Sequence, residues 1–148
     1  MDSCSKRDYS GMLRKVNNSP YFGPKSGAMV TAIHEDHSAE GELEIRTDTQ
    51  NPMGMVHGGA LFTLADTVAG TAAFTTGRTC VTLDSSMQFL SSARGDKVFC
   101  LAKPKKMGRT ILVYEVTITD SEDRLVATGI FTFYATGEYQ IPPRADLS

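Results

Sequence analysis

The sequence predicts an α+β domain in which one long central helix is wrapped by a curved antiparallel β-sheet of about six strands. Three observations carry that expectation. Residues 57–77, HGGALFTLADTVAGTAAFTTG, are apolar or small nearly all the way round and contain no proline, the pattern of a helix buried on most of its circumference. Two strand-like segments precede this stretch and four follow it, separated by short breaks. No internal repeat, low-complexity tract or linker divides the chain. A run of strands holding a single helix calls for a sheet curved around that helix, because only then is the helix covered.

Residues 1–27 are polar and punctuated by Asn17-Asn18-Ser19-Pro20 and Gly23-Pro24, which read as breakers. They form an N-terminal extension with at most one short helix, around Tyr9 to Val16. From Ala28 the pattern becomes regular. Glu42-Leu43-Glu44-Ile45-Arg46 alternates, with Leu43 and Ile45 on one face and three charges on the other, so 28–34 and 39–46 pair as a hairpin turning at Glu35 to Ser38. The helix then runs over about twenty residues, roughly 30 Å, and stops at Gly77. Four strands follow, over about 79–91, 96–106, 110–119 and 124–136. Leu112, Tyr114, Val116 and Ile118 share a face of the third; Leu125, Ala127, Phe131 and Phe133 share a face of the fourth. The folded domain spans 28–137, and 138–148 is a tail.

At 148 residues, 41% hydrophobic and 22% charged, the chain has globular composition and can bury roughly 70% of its unfolded surface in one domain. Fifteen Lys and Arg against seventeen Asp and Glu give a net charge of −2, which argues against nucleic-acid binding through a global positive field. The opening MDSCSKRDYSGM lacks the apolar core of a signal peptide. No apolar run reaches the length of a membrane span. Cys4, Cys80 and Cys100 are odd in number and widely spaced, which disfavours a disulfide framework or a zinc knuckle. A reduced, cytoplasmic domain without metal or cofactor is the expectation.

Two signals along the helix carry chemistry. Asp66 is the sole Asp, Glu, Lys or Arg between Thr49 and Gly77. It is a solvent-facing residue on an exposed strip, a buried hydrogen-bonder, or a functional carboxylate. His57-Gly58-Gly59 stands at the helix start, where free N–H groups and the positive end of the macrodipole meet. Glycines there admit a close ligand atom, the requirement of an oxyanion hole, although a Gly-rich turn with a satisfied histidine has the same sequence. The spacing decides something more. Asp66 lies nine residues beyond His57, about 13 Å along the axis and on the opposite face. One chain cannot bring both to one small group, whereas two chains related by a two-fold axis can.

Other candidates are weaker by themselves. Thr82 and Asp84 sit on one polar face of the strand after the helix, opposite Val81, Leu83, Met87 and Phe89. In Lys103-Pro104-Lys105-Lys106-Met107-Gly108-Arg109-Thr110, three lysines and an arginine fall within seven residues, a set that holds phosphates or forms a solvated turn. There is no G-x-S-x-G elbow, Walker A run or G-x-G-x-x-G to support other enzyme classes. His34-Glu35-Asp36-His37 lacks the H-E-x-x-H helical spacing of a metal site, and Cys80 and Cys100 sit in apolar strand sequence with no activating partner.

Asn51-x-x-Gly54-x-x-His57-Gly58-Gly59, followed by Leu64-Ala65-Asp66, resembles the hotdog-fold acyl-CoA thioesterases, and most of all their phenylacetic acid degradation (PaaI-like) branch. The resemblance covers roughly 28–137, including the element order. It implies the hotdog fold, homodimers or dimers of dimers with active sites between subunits, and acyl-CoA as the substrate. It implies that Asp66 is the catalytic carboxylate, activating water or attacking the carbonyl, and that the Gly58 N–H polarises the thioester carbonyl. Asn51 and His57 match residues that line the same loop near the carbonyl or the departing sulfur, and Thr82 falls where relatives carry a hydroxyl assisting the attacking water. CoA contacts are implied for Asp84, for Phe89-Leu90-Ser91-Ser92-Ala93-Arg94, and for Lys106-Met107-Gly108-Arg109-Thr110. Relatives often carry Pro where this chain has Ser92.

The chemistry stands on its own as well. A thiol with a pKa of about 8.5 leaves as thiolate with little acid help, so activating water and holding the oxyanion are what remain. The alternatives are a non-catalytic acyl-CoA-binding hotdog protein, which retention of Asp66 disfavours, and a hydroxyacyl-thioester dehydratase, whose proline-rich His loop and D-x-N-x-x-H pattern are missing.

Overall fold

Alternation of buried and exposed residues builds the middle of the sheet and is broken in one edge strand and the neighbour of that strand. The computed structural model describes residues 7–144, so Cys4 lies outside the described residues. Strands β1 (Met29–Ile33), β2 (Ala39–Glu44), β3 (Arg78–Phe89), β4 (Lys97–Met107), β5 (Ile111–Asp120) and β6 (Leu125–Glu138) form one six-stranded sheet in the order β1-β2-β4-β5-β6-β3. Every neighbouring pair is antiparallel. Leu112, Tyr114, Val116 and Ile118 are buried as their spacing predicts. In β6, Ala127, Phe131 and Phe133 are buried, but Leu125 is exposed and Val126 takes the inner place. The register between β5 and β6 shifts between Ile118 and Thr119, so Leu125 is out of phase with the rest of its strand.

The long helix, α3, runs over Gly58–Phe74 and buries Leu61, Leu64, Ala65, Val68, Ala69 and Ala72 against the sheet. Gly41 on β2 lets the helix come close: a Cβ there would collide with the Val68 side chain and the Met29 carbonyl. The helix stops three residues before Gly77. Thr75 and Thr76 donate both their N–H and hydroxyl groups to the carbonyls of Ala72 and Ala73, which tightens the last turn. Gly77 then adopts φ +78°. No helix among the described residues is long and apolar enough to cross a membrane.

The extension is better structured than its breakers suggest. Helix α1 covers Ser10–Asn17, one residue later than predicted, and a second helix, α2, covers Phe22–Lys25 across Gly23-Pro24. Proline is tolerated there because an N–H in the first turn has no helical partner. Tyr9 and Met12 are buried, and Leu13 and Val16 pack on the core. Asn17 pairs with Val30 in both directions, donating Nδ2 to its carbonyl at 2.8 Å and accepting its N–H at 2.9 Å. That side chain blunts the β1 edge of the sheet. β3, at the other edge, pairs only with β6 among the described residues.

Candidate active site

Asn51 organises the loop that leads into α3. Its Oδ1 accepts the N–H groups of Met53 and Met55 at 3.0 and 3.1 Å, and its own N–H donates to the Met55 carbonyl at 2.7 Å. Gly54, at φ +79°, supplies the left-handed turn this requires. His57 then caps the helix: its Nδ1 accepts the Gly59 N–H at 2.8 Å, which leaves the ring proton on Nε2, available as a donor. Gly59 is needed for this approach, because an added Cβ would stand 2.9 Å from Nδ1.

The cap leaves one donor over. Ala60 and Leu61 donate to the His57 carbonyl at 2.9 and 3.1 Å, and Gly59 donates to the imidazole. The Gly58 N–H alone in the first turn has no acceptor among the described residues. No acidic residue occupies that turn to offset the positive end of the helix. The Phe89 ring lies beside the helix start, 3.5 Å from where a Gly58 Cβ would be, so β3 brings an aromatic wall to the free N–H.

Asp66 sits on the half-exposed strip of α3, eight residues on from Gly58, about 12 Å along the axis. Thr82 on β3 donates its hydroxyl to Asp66 Oδ1 at 2.7 Å, fixing one carboxylate oxygen, and no hydrogen bond to the other is found among the described residues.

Asp84 does not share the Thr82 face. The pairing of β3 with β6 shifts between Thr82 and Asp84: Thr82 stands opposite inward-facing Phe133, but Asp84 stands opposite Thr132. The bulge at Leu83 therefore turns Thr82 toward the helix and Asp84 away from it. Met87 packs on the core and Phe89 reaches Gly58, whereas Val81 and Leu83 remain 52% and 59% exposed. The predicted apolar face of this strand is thus split between two sides of the sheet.

The segments implied for CoA lie at opposite ends of the molecule. Leu90 and Ser91 donate to the Val126 carbonyl, Ser91 Oγ donates to Leu125, and the Arg94 N–H donates to Asp120 Oδ2. Ser92 accepts from Arg124 Nη2 at 2.6 Å. These contacts tie 89–94 to the β5–β6 turn. Lys106 lies near the end of β4, paired with Val113, and Gly108, Arg109 and Thr110 form the β4–β5 turn, pinned by the Arg78 guanidinium, which donates to the Gly108 and Arg109 carbonyls. Ten residues of β5 separate the two turns, about 34 Å at strand rise.

Two residues with structural roles at these ends escaped the sequence reading: Arg78 and Asp120. Asp120 is fully buried. Burial pushes its carboxyl up, but the N–H groups of Arg94, Arg124 and Glu122 and the Arg124 guanidinium outweigh this and hold it below the usual range. Elsewhere, His34 meets Glu40 and His37 meets Thr75. Burial pushes the Cys80 and Cys100 thiols up, against thiolate chemistry.

Residues 53–127 match the thioesterase superfamily. A Haemophilus influenzae relative with a provisional esterase name is 32% identical over 109 residues, 72% of this chain and 78% of its own length. The 1,4-dihydroxy-2-naphthoyl-CoA hydrolase of Escherichia coli is 29% identical over 100 residues, covering 66% of this chain and 74% of that enzyme. A hypothetical thioesterase from Streptococcus pneumoniae, solved with coenzyme A, superimposes with a TM-score of 0.71 at 30% identity, covering 75% of this chain and 87% of that one. With its long helix held in a curved six-stranded antiparallel sheet, the chain belongs to the thioesterase superfamily and has the hotdog fold.

Proposed function

We propose that the protein is an acyl-CoA thioesterase of the phenylacetic acid degradation branch, acting as a homodimer or a dimer of dimers. One observation carries the reading: a carboxylate on α3, Asp66, held through one oxygen by Thr82, in a chain whose helix start offers an unused N–H at Gly58. Water attacks the thioester carbon while the free Asp66 oxygen takes its proton. The carbonyl oxygen becomes an oxyanion held by the Gly58 N–H, with His57 Nε2 and the Asn51 amide as further donors. Collapse expels the CoA thiolate, which recovers the proton from Asp66. A general base supplies roughly 10²–10⁴-fold, and one oxyanion donor about 3–4 kcal/mol.

The roughly 12 Å between Gly58 and Asp66 supports drawing the two groups of one site from different chains. The distant 89–94 and 106–110 turns follow the same logic, one from each chain meeting a single CoA. The open β3 edge, with Val81 and Leu83 exposed beside it, is the surface proposed for self-association. The names of the E. coli hydrolase and of the coenzyme A-bound streptococcal protein support a CoA thioester as substrate. The test is thiol release from aryl-acetyl, medium-chain and long-chain CoA esters by the wild type and Asp66→Asn. Wild-type turnover with a loss of at least about 10² in the folded variant is expected. Binding of the esters without turnover would leave a non-catalytic acyl-CoA-binding protein.

A further inference from the structure

At the end of the sheet opposite β3, the N-terminal extension occupies the edge of β1. Val30 turns its N–H and carbonyl away from β2, and one side chain satisfies both. Asn17, the last residue of α1, accepts the N–H through Oδ1 at 2.9 Å and donates Nδ2 to the carbonyl at 2.8 Å. A residue of a neighbouring antiparallel strand would make the same two bonds. Two residues earlier, the Ala28 N–H donates to the Gly23 carbonyl at 3.1 Å. Beyond Val30 the pairing with β2 shifts before Ala32. The extension is also fastened apart from these bonds: Met12 is buried, Leu13 and Val16 pack on the core, and a Cβ at Gly11 would collide with the Pro143 carbonyl.

We propose that the N-terminal extension is an assembly stop: Asn17 masks a strand edge on β1 that, once bared, pairs antiparallel with the β1 edge of a second copy of the chain. The strand suits that partner. Residues 28–33 read A-M-V-T-A-I, six residues with no charge and no proline, the composition of segments that pair with their own copies. It carries none of the lysines or prolines that blunt exposed edges, so that task falls to the extension and to the shift before Ala32. A two-fold axis beside Val30 would give each copy the N–H and carbonyl partners that Asn17 now supplies. Masking matters because the sheet has a second edge. With β3 proposed to join two chains, an open β1 on each would add further pairs without closure. That open-ended form rests on the proposed pairing through β3, whereas pairing through β1 alone gives a closed dimer.

The experiment uses the full chain and takes two readings: mass by sedimentation equilibrium over a range of concentrations, and exchange of the Val30 amide. Asn17→Ala is expected to speed Val30 exchange at least about tenfold and to raise the mass at least about twofold over the wild type. Adding Thr31→Lys, at an exposed position of the same strand, should return the mass to the wild-type value while Val30 still exchanges fast. If Asn17→Ala does not fold, Gly11→Ala decides by the same two readings, since it drives α1 off Pro143 without altering β1. A folded variant with a fast Val30 amide and wild-type mass overturns the proposal. So does unchanged Val30 protection in the variant that folds, or growth that Thr31→Lys fails to reverse. Neither reading uses a thioester, so the outcome stands apart from the enzymatic reading. A monomeric wild type would sink the pairing through β3 and limit the bared β1 edge to closed dimers.

Discussion

Thr82→Val is the sharpest probe of the proposed chemistry. The substitution keeps the β-branched outline that suits a strand and deletes only the hydroxyl that donates to Asp66 Oδ1 at 2.7 Å. A hydrogen bond to a charged group contributes about 1.5–3 kcal/mol. Asp66 is only half-buried, so water makes good part of the loss, and the lower end of that range, about 1.5–2 kcal/mol, applies. At 1.36 kcal/mol per decade this is a fall in kcat of about 10–30-fold. KM should stay within about twofold, because the lost partner is the carboxylate and not the substrate.

The assay is thiol release at saturating acyl-CoA, with thermal unfolding alongside to certify the fold. Thr82→Ser should recover most of the rate, since it returns the donor. In the Asp66→Asn background the same change should cost little further, because the carboxylate it positions has gone. A kcat within twofold of wild type for a folded Thr82→Val protein would refute the idea that the hydroxyl holds the base. So would an equal loss in both backgrounds.

Other outcomes follow from the same geometry. Mixing Asp66→Asn chains with Gly58→Pro chains, which lack the oxyanion N–H, should restore activity in heterodimers that pair the two unaltered halves; verified heterodimers without recovery would count against a shared site. Lys106→Ala with Arg109→Ala should raise KM and flatten its salt dependence with a smaller effect on kcat, whereas an unchanged KM at low ionic strength would mark the turn as a solvated face. Asp120→Asn should lower Tm at pH 7, because its amide would meet the Arg94 N–H and the Arg124 guanidinium. The Asp120 carboxyl is held low in the fold, so its contribution is full above the unfolded value of about 3.9 and fades as pH falls through the folded one; the Tm gap between wild type and variant should narrow in acid, and a gap independent of pH would contradict this.

What the sequence made legible was whatever depends on period and punctuation. The apolar stretch 57–77 announced its helix, and the alternation in 110–119 announced a strand with one buried face. The end of the helix was misplaced because Thr75 and Thr76 can satisfy carbonyls with hydroxyls as well as with N–H groups, an option that hydrophobic periodicity does not register. The α2 turn was hidden by Gly23-Pro24, residues that break a helix interior but are acceptable in its first turn. At the site, Asp66 and His57-Gly58-Gly59 stood out by chemistry and position. Arg78 did not, because a guanidinium that pins a turn 30 residues away leaves no local mark.

The instructive failure is in β3. Period-two reasoning put Thr82 with Asp84 and against Met87 and Phe89, but a single bulge at Leu83 reverses which side every later residue faces. That reversal lets one strand serve both parts of the proposed chemistry: Thr82, before the bulge, reaches the carboxylate, and Phe89, after it, reaches the helix start. An unbroken strand facing Thr82 inward would turn Phe89 and Met87 out and Asp84 toward the helix and Asp66. A second carboxylate there would repel the one proposed to take a proton from water. The bulge therefore keeps one acid in the site and one aromatic wall at the donor. Val81, before the bulge, and Leu83, within it, stay exposed at the edge where a second copy of the chain is proposed to bind.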